Sequence, residues 1–273
     1  MKLPEGFAFS QSSLQEYVDC PRWFQLRYVL GVQWPMAHED SSLAWERRAR
    51  LGAAFHRLVQ QHLLRIGSGQ LASAAEEAGV AAWWHAYLSC PPRDLPPVRR
   101  AELSLSVLLG SYRLAARYDL VATEPGRCAV IVDWKTTESR PQRAQLAARL
   151  QTLVYLYVLV EASAQVNEGQ PFAPEQVELL YWFANHPQQS ERFTYDTAAH
   201  TAAGRRLRSL IAEIAAVDMA EWVLTPRTEH CRTCPYRTLC GREGGPTPGE
   251  AVEPEPEAEP VDFDLEQIAE IEF

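Results

Sequence analysis

Cys128-Ala-Val-Ile-Val-Asp133-Trp134-Lys135-Thr136 is the stretch on which the reading of this chain turns. It is a short apolar run rich in β-branched residues, which predicts an inner strand, and it ends in Asp-Trp-Lys. Residues two apart on a strand share a face, so Asp133 and Lys135 project together while Trp134 projects away. An Asp–Lys pair of this kind is often only a surface ion pair worth little. Usage elsewhere in the chain argues for more. Of the 26 Lys+Arg only Lys2 and Lys135 are lysine, which leaves 24 arginines. A chain that takes Arg nearly everywhere and Lys here selects a compact, titratable ammonium.

Working outward, the period-two pattern predicts strands over 101–109 and 112–122, with turns at Gly110-Ser111 and Pro125-Gly126. A hairpin between 112–122 and 128–136 would bring Asp119 to Asp133. Two adjacent carboxylates repel unless a cation joins them, and their hard oxygens suit Mg²⁺ or Mn²⁺. Lys135 would then polarise an attacking water or stabilise charge on a pentacoordinate phosphorus. After the strand, 142–162 predicts a buried helix, apolar around most of its surface. Gln151 and Tyr155 are four apart and share one of its faces, where polar groups need partners that an adjacent site supplies. Before the strands, 45–66 has a helical period and carries Gly52 and His56. An imidazole beside the carboxylates shifts preference from Mg²⁺ toward Mn²⁺. His62 points to a different helix face, and His38, His85, His186, His200 and His230 have no supporting context.

The remaining pattern predicts a helix over 10–30 broken at Pro21, a helix over 71–88, an inner strand over 177–184, a partner strand over 191–195 and an amphipathic helix over 197–217. Cys231, Cys234 and Cys240 then form a knuckle, a C-x2-C pair plus a third thiol, that fits zinc or an iron–sulfur cluster. Cys20, at the Pro21 break, and His230 are the candidates for a fourth ligand, and Cys20 is the better placed. Such a site would close a loop of roughly two hundred residues and stabilise the fold through bound metal. Cys90 and Cys128 read as ordinary thiols.

The net charge of −9 is unevenly spread. Residues 241–273 hold 11 of the 35 Asp+Glu and one of the 26 Lys+Arg, so 1–240 carries 24 acids against 25 bases. The body is therefore open to nucleic acid, and Arg47-Arg48-Ala49-Arg50, Arg99-Arg100 and Arg205-Arg206-Leu207-Arg208 are clusters that could track phosphates. The start lacks a secretory pattern and no apolar run spans a bilayer, which predicts a cytoplasmic protein without membrane contact, its cysteines ligands or free thiols.

Taken together, Ser12-x7-Cys20-Pro21, Gly52-x3-His56, Asp119, Asp133-Trp134-Lys135-Thr136, Gln151-x3-Tyr155 and the three-cysteine knuckle resemble the PD-(D/E)xK nuclease superfamily. Within it they are similar to RecB-like nucleases with an iron–sulfur staple, including CRISPR-adaptation nucleases and the nuclease domain of AddB-type helicase–nucleases. The resemblance spans Phe9 to Cys240. It implies an α/β (α+β) restriction-endonuclease-like core, a mixed central sheet flanked by helices, with an N-/C-terminal helical iron–sulfur subregion. It implies metal ligation by His56, Asp119 and Asp133 with a backbone carbonyl near Trp134, Lys135 as catalytic lysine, and Gln151 and Tyr155 orienting the site or touching DNA. Cys20, Cys231, Cys234 and Cys240 would hold a [4Fe–4S] cluster, with structural Zn²⁺ as the alternative. Relatives commonly have a glycine just before the aspartate, where this chain has Ala115-Ala116-Arg117-Tyr118. No G-x-x-x-x-G-K-[ST] is present, so the resemblance implies a stand-alone DNA exonuclease or end-processing enzyme or a subunit, in repair, recombination or CRISPR adaptation. A DNA-binding scaffold without catalysis is the rival. The expected organisation is a nuclease domain over 1–242 and a disordered acidic tail over 243–273. The tail's last residues, ending in Phe273, are similar to the tips of bacterial single-stranded-DNA-binding proteins, which implies docking on a repair or CRISPR-adaptation partner, with a solubilising tail as the alternative.

Overall fold

The computed structural model describes residues 3–4, 6–32, 40–217, 222–232 and 234–242. The tail over 243–273, with the docking motif expected there, lies outside the described residues. The architecture is mixed α/β, a central mixed sheet flanked by helices. Its strands are β1 (Ala8–Phe9), β2 (Val98–Leu109), β3 (Tyr112–Glu124), β4 (Cys128–Lys135), β5 (Val177–Phe183) and β6 (Glu191–Thr194), in the order β1-β3-β4-β5-β6 with β2 also on β3. The β2–β3, β3–β4 and β5–β6 pairs are antiparallel; β1–β3 and β4–β5 are parallel. The parallel β4–β5 step needs a crossover, and the helices α6 (Arg143–Ala148) and α7 (Leu150–Ala162) supply it.

Two apolar cores form, one on each face of the sheet. On one face α7 packs with α1 (Gln11–Asp19) and α8 (Thr197–Ala216) over Leu114, Val121, Ile131, Leu179 and Tyr181. On the other, α3 (Asp40–Leu63), α4 (Ser68–Glu77) and α5 (Ala81–Ser89) cover Leu120, Val130, Val132, Trp134 and Trp182. Eleven of the thirteen α7 residues are buried, as its all-round apolar surface predicted. Each fully buried Leu or Val there contributes about 1.5–3 kcal/mol. Among the described residues no helix is long and apolar enough to cross a membrane.

Two local departures from the sequence pattern have physical causes. The helix expected over 71–88 is two, because Gly79 at φ 74° turns the chain and the Val80 amide closes onto the Ala75 carbonyl at 2.8 Å. The helix expected over 142–162 breaks at Arg149, which is extended (ψ 141°), and the Thr152 hydroxyl caps the Leu146 carbonyl at 2.6 Å. At the N-terminus Ser10 and Ser13 form a reciprocal capping box for α1. The Pro21 break is present, as a short helix α2 (Pro21–Phe24) that continues into a π-helical turn, Gln25–Val29.

Candidate active site

The β3–β4 hairpin puts Leu120 opposite Val132, so the next step along it juxtaposes Asp119 and Asp133. The Trp134 amide donates to Asp119 Oδ2 at 2.8 Å, which ties the first carboxylate to the strand carrying the second. His56 lies well inside α3 rather than at its start, and its Nδ1 is 3.2 Å from Asp119 Oδ1.

Asp133 and Lys135 project toward α7, while Trp134 joins the opposite core, as strand alternation predicted. Lys135 Nζ lies 2.8 Å from Asp133 Oδ2 and donates to Gln151 Oε1 at 2.8 Å. The Gln151 amide nitrogen donates to Asp133 Oδ1 at 2.9 Å and to the Tyr155 hydroxyl at 3.3 Å. All six residues singled out in the sequence therefore meet in one connected network. Exposure runs along it: the His56 side chain is 31% exposed and Asp119 16%, but Lys135 and Asp133 only 8% and 4%. The site opens at the imidazole and closes at the lysine.

Burial and charge oppose each other in this network. Burial works against a charged His56, but the Asp119 charge and hydrogen bond, with Asp133 behind, outweigh it and lift the ring to about 9. Burial likewise raises Asp119, yet His56, the Trp134 amide and Lys135 together hold its carboxyl below the usual range. Tyr155 is pushed well above the ordinary phenol, first by burial and then by the two carboxylates, and stays neutral.

Several supporting groups were not legible beforehand. Lys135 Nζ lies 5.3 Å over the Tyr181 ring, and the Tyr181 hydroxyl is 2.8 Å from Thr152 Oγ1. Tyr118 Oη donates to the Tyr155 carbonyl at 3.1 Å. The Tyr181 contacts depend on the parallel register of β5 on β4, Asp133 beside Tyr181, which no local sequence signal encodes. His62 is turned to the Tyr87 hydroxyl at 3.1 Å, within the aromatic core.

Two carboxylates and an imidazole form a donor set suited to a hard divalent ion with some nitrogen affinity. Asp133 is engaged by Lys135 and Gln151, and among the described residues no three His, Cys, Asp or Glu converge tightly on one ion position. The second candidate site joins the two ends of the described chain. Cys20 ends α1, and it lines one small cavity with Cys231, Cys234 and Cys240. Burial pushes Cys234 up to about 12, with the charges of Cys20, Cys240 and Cys231 adding to the shift. Cys240 is raised by burial first and then by Cys20. The thiolate is the form that binds metal, so an ion held here would have to draw the protons from these thiols. His230 lines the same cavity, but its Nδ1 is 3.7 Å from Asp19 Oδ1. Cys90 and Cys128 lie elsewhere, Cys90 donating to the Pro187 carbonyl at 3.4 Å.

A search of curated proteins gives no match. Among solved structures, one described as a "Putative exonuclease" from Eubacterium rectale aligns with a TM-score of 0.51 at 10% identity, over 90% of this chain and 91% of that one. Another, SSO0001, aligns with a TM-score of 0.41 at 13% identity, over 86% of each chain. The sequence model of the PD-(D/E)XK nuclease superfamily matches residues 8–241, a span that holds every member of both residue sets. Its members are phosphodiester-hydrolysing nucleases that generally use Mg²⁺ or Mn²⁺, and this chain belongs to that superfamily.

Proposed function

We propose that the chain is a metal-dependent deoxyribonuclease of the RecB-like, iron–sulfur-stapled kind, acting as an exonuclease or end-processing enzyme. The observation that carries this reading is the buried Lys135 held on Asp133 and Gln151 beside Asp119 and His56. A purely structural lysine would cost less at the surface, since a buried ion pair barely offsets its desolvation.

His56, Asp119 and Asp133 would hold Mn²⁺ or Mg²⁺, with a backbone carbonyl near Trp134. When bound, the ion supplies Lewis acidity and a lowered pKa for water. The chain's own groups do the rest. Lys135 places a fixed positive charge where negative charge develops on the phosphoryl oxygens. Gln151 accepts from the ammonium and donates to Asp133, so it fixes both at once. Tyr155, kept neutral, holds the amide of Gln151 in that orientation.

Cys20, Cys231, Cys234 and Cys240 would hold a [4Fe–4S] cluster, structural in role, with Zn²⁺ as the alternative. The cavity that the four cysteines share is the observation in favour of a common metal centre. The domain would then run over 1–242, its ends joined at the cluster, with 243–273 as an acidic appendage for a repair or CRISPR-adaptation partner.

The test is anaerobic purification followed by incubation with end-labelled single- and double-stranded DNA and either metal, beside Lys135→Ala and Asp133→Ala. Metal-dependent cleavage lost in both variants supports the reading, and the product ladder gives polarity. A closed circular substrate separates exonuclease from endonuclease action. Binding without cleavage under either metal overturns it in favour of a scaffold or a subunit of a helicase–nuclease complex. Colour in the purified protein separates iron–sulfur from zinc.

A further inference from the structure

The β2–β3 ladder is interrupted where Glu102 lies opposite Asp119. The register runs Ala101↔Leu120 and then Leu103↔Tyr118, and between them Glu102 sits in the left-handed region at φ 53°. Leu114, Ala116 and Tyr118 join one core, whereas Leu120 joins the other, so the inside–outside phase of β3 shifts at Asp119. A left-handed non-glycine residue inside a strand is strained and persists where surrounding structure enforces it.

Glycine would adopt this backbone without strain, yet the chain has a glutamate. Its carboxylate has a specific partner. Arg117, two residues before Asp119, donates its Nε to Glu102 Oε2 at 2.7 Å, and Nη2 lies 2.7 Å from the same oxygen. Glu102 is 19% exposed and Arg117 45%. The guanidinium is thus held through one edge by a half-buried acid while much of it faces solvent, two residues from a candidate metal ligand. A guanidinium presents five donors, and two suffice for this contact.

We infer that Arg117 binds a non-scissile phosphate of the nucleic-acid strand running into the site, and that Glu102 is the positioning residue that aims it. The inference rests on the nuclease reading for the identity of its ligand. A phosphate fits because the fork of a guanidinium matches its oxygens and because a fixed fork loses little freedom on binding. The strained backbone is thereby accounted for: it aims the Glu102 carboxylate at Arg117.

The test uses the full chain with Ca²⁺ in place of Mg²⁺ or Mn²⁺, and fluorescence anisotropy of labelled single-stranded and duplex DNA over a salt series. Arg117→Ala is expected to weaken binding about tenfold and to reduce the salt slope by about one ion, the signature of one lost phosphate contact. Arg117→Lys keeps the slope and recovers part of the affinity. Glu102→Gly retains the kink, so it should melt at or above the wild-type temperature while binding about threefold more weakly. An Arg117→Ala protein with wild-type slope and affinity overturns the inference, as does one that melts lower with its slope intact, which would make Arg117 only a neutraliser of Glu102. Glu102→Gly with wild-type binding removes the aiming role. Cleavage by the wild type in Mn²⁺ is measured alongside. Wild-type binding without cleavage sinks the nuclease reading and leaves the slope test decisive, whereas no binding at all sinks both.

Discussion

The carboxylate–lysine network and the four-cysteine cavity are built on opposite plans. Asp119, Asp133 and Lys135 sit on adjacent strands of one sheet, and their partners His56, Gln151 and Tyr155 on helices packed against it. The ladder that makes the sheet also sets their spacing, and each finds its contacts within the protein. The cysteine region has no such frame. It is made of the end of α1, a 3-10 turn over Thr228–Arg232 and further turns, joined across the chain by single bonds. Tyr236 Oη donates to the Val32 carbonyl at 2.8 Å, Arg227 to Val18 at 2.7 Å, and the Arg22 amide to Val223 at 3.3 Å. The first site is a product of the fold, and the centre proposed for the second would tie two distant parts of the chain together.

The sharpest way to break this contrast is to remove one thiol. Cys234→Ser should abolish the visible absorption of an iron–sulfur cluster. It should also cost on the order of 3–5 kcal/mol of stability, as the loss of a long-range cross-link does. Thermal melting and absorbance, both on anaerobically prepared protein, check this. A Cys234→Ser protein that melts like the wild type would show that the ends hold without a metal centre.

Lys135→Ala is the reciprocal experiment. Cleavage should fall by about 10²–10³-fold, the usual cost of one fixed charge at a developing oxyanion. The visible absorption should be untouched, because the two sites share no side chain. Loss of colour together with rate would mean that the sites are coupled and the contrast fails.

A gentler probe uses the open edge of the network. His56 is raised to about 9 by Asp119, so at neutral pH its ring is protonated, and a metal must displace that proton. Mn²⁺ affinity should therefore rise about tenfold per pH unit up to pH 9, with one proton released per ion. The sign for stability in the absence of metal is the reverse. The raised value makes the His56–Asp119 pair stabilising below its ordinary value of 6.5, and that contribution fades as pH rises through about 9. Calorimetry of Mn²⁺ binding in buffers of different ionisation enthalpy measures the proton count, and an affinity flat between pH 7 and 9 would reject the ligand role of His56.

Legibility in the sequence follows the same division. Strand alternation placed Asp133 with Lys135 and away from Trp134, and the helical period placed Gln151 with Tyr155, because both are local geometry. The turn at Pro125-Gly126 sufficed to predict the hairpin that carries Asp119 to Asp133. What stayed hidden depends on long-range register. The two-residue β1 is too short for a periodic signal, Tyr181 reaches Lys135 only through parallel pairing, and Arg149 breaks α6 from α7 without a glycine or proline. Glu102 and Arg117 belong to this group. Their charges were visible, but the φ of 53° that joins them to Asp119 is a property of the folded ladder.

The smallest effect is expected at the innermost contact, and it tests how redundant the network is. Tyr155→Phe removes only the hydroxyl that accepts from Gln151 at 3.3 Å, the longest bond in the set. Gln151 would still donate to Asp133 at 2.9 Å and accept from Lys135 at 2.8 Å, two contacts that suffice to fix a planar amide. The loss should be about 1 kcal/mol in stability and less than tenfold in rate. Gln151→Ala removes both of the stronger contacts, one from Asp133 and one from Lys135, so its rate loss should exceed that of Tyr155→Phe by tenfold or more. Melting curves and single-turnover cleavage of the two variants decide the matter. If Tyr155→Phe were the more damaging, the hydroxyl would have to act on the substrate itself, because its share in holding the amide is too small to account for such a loss.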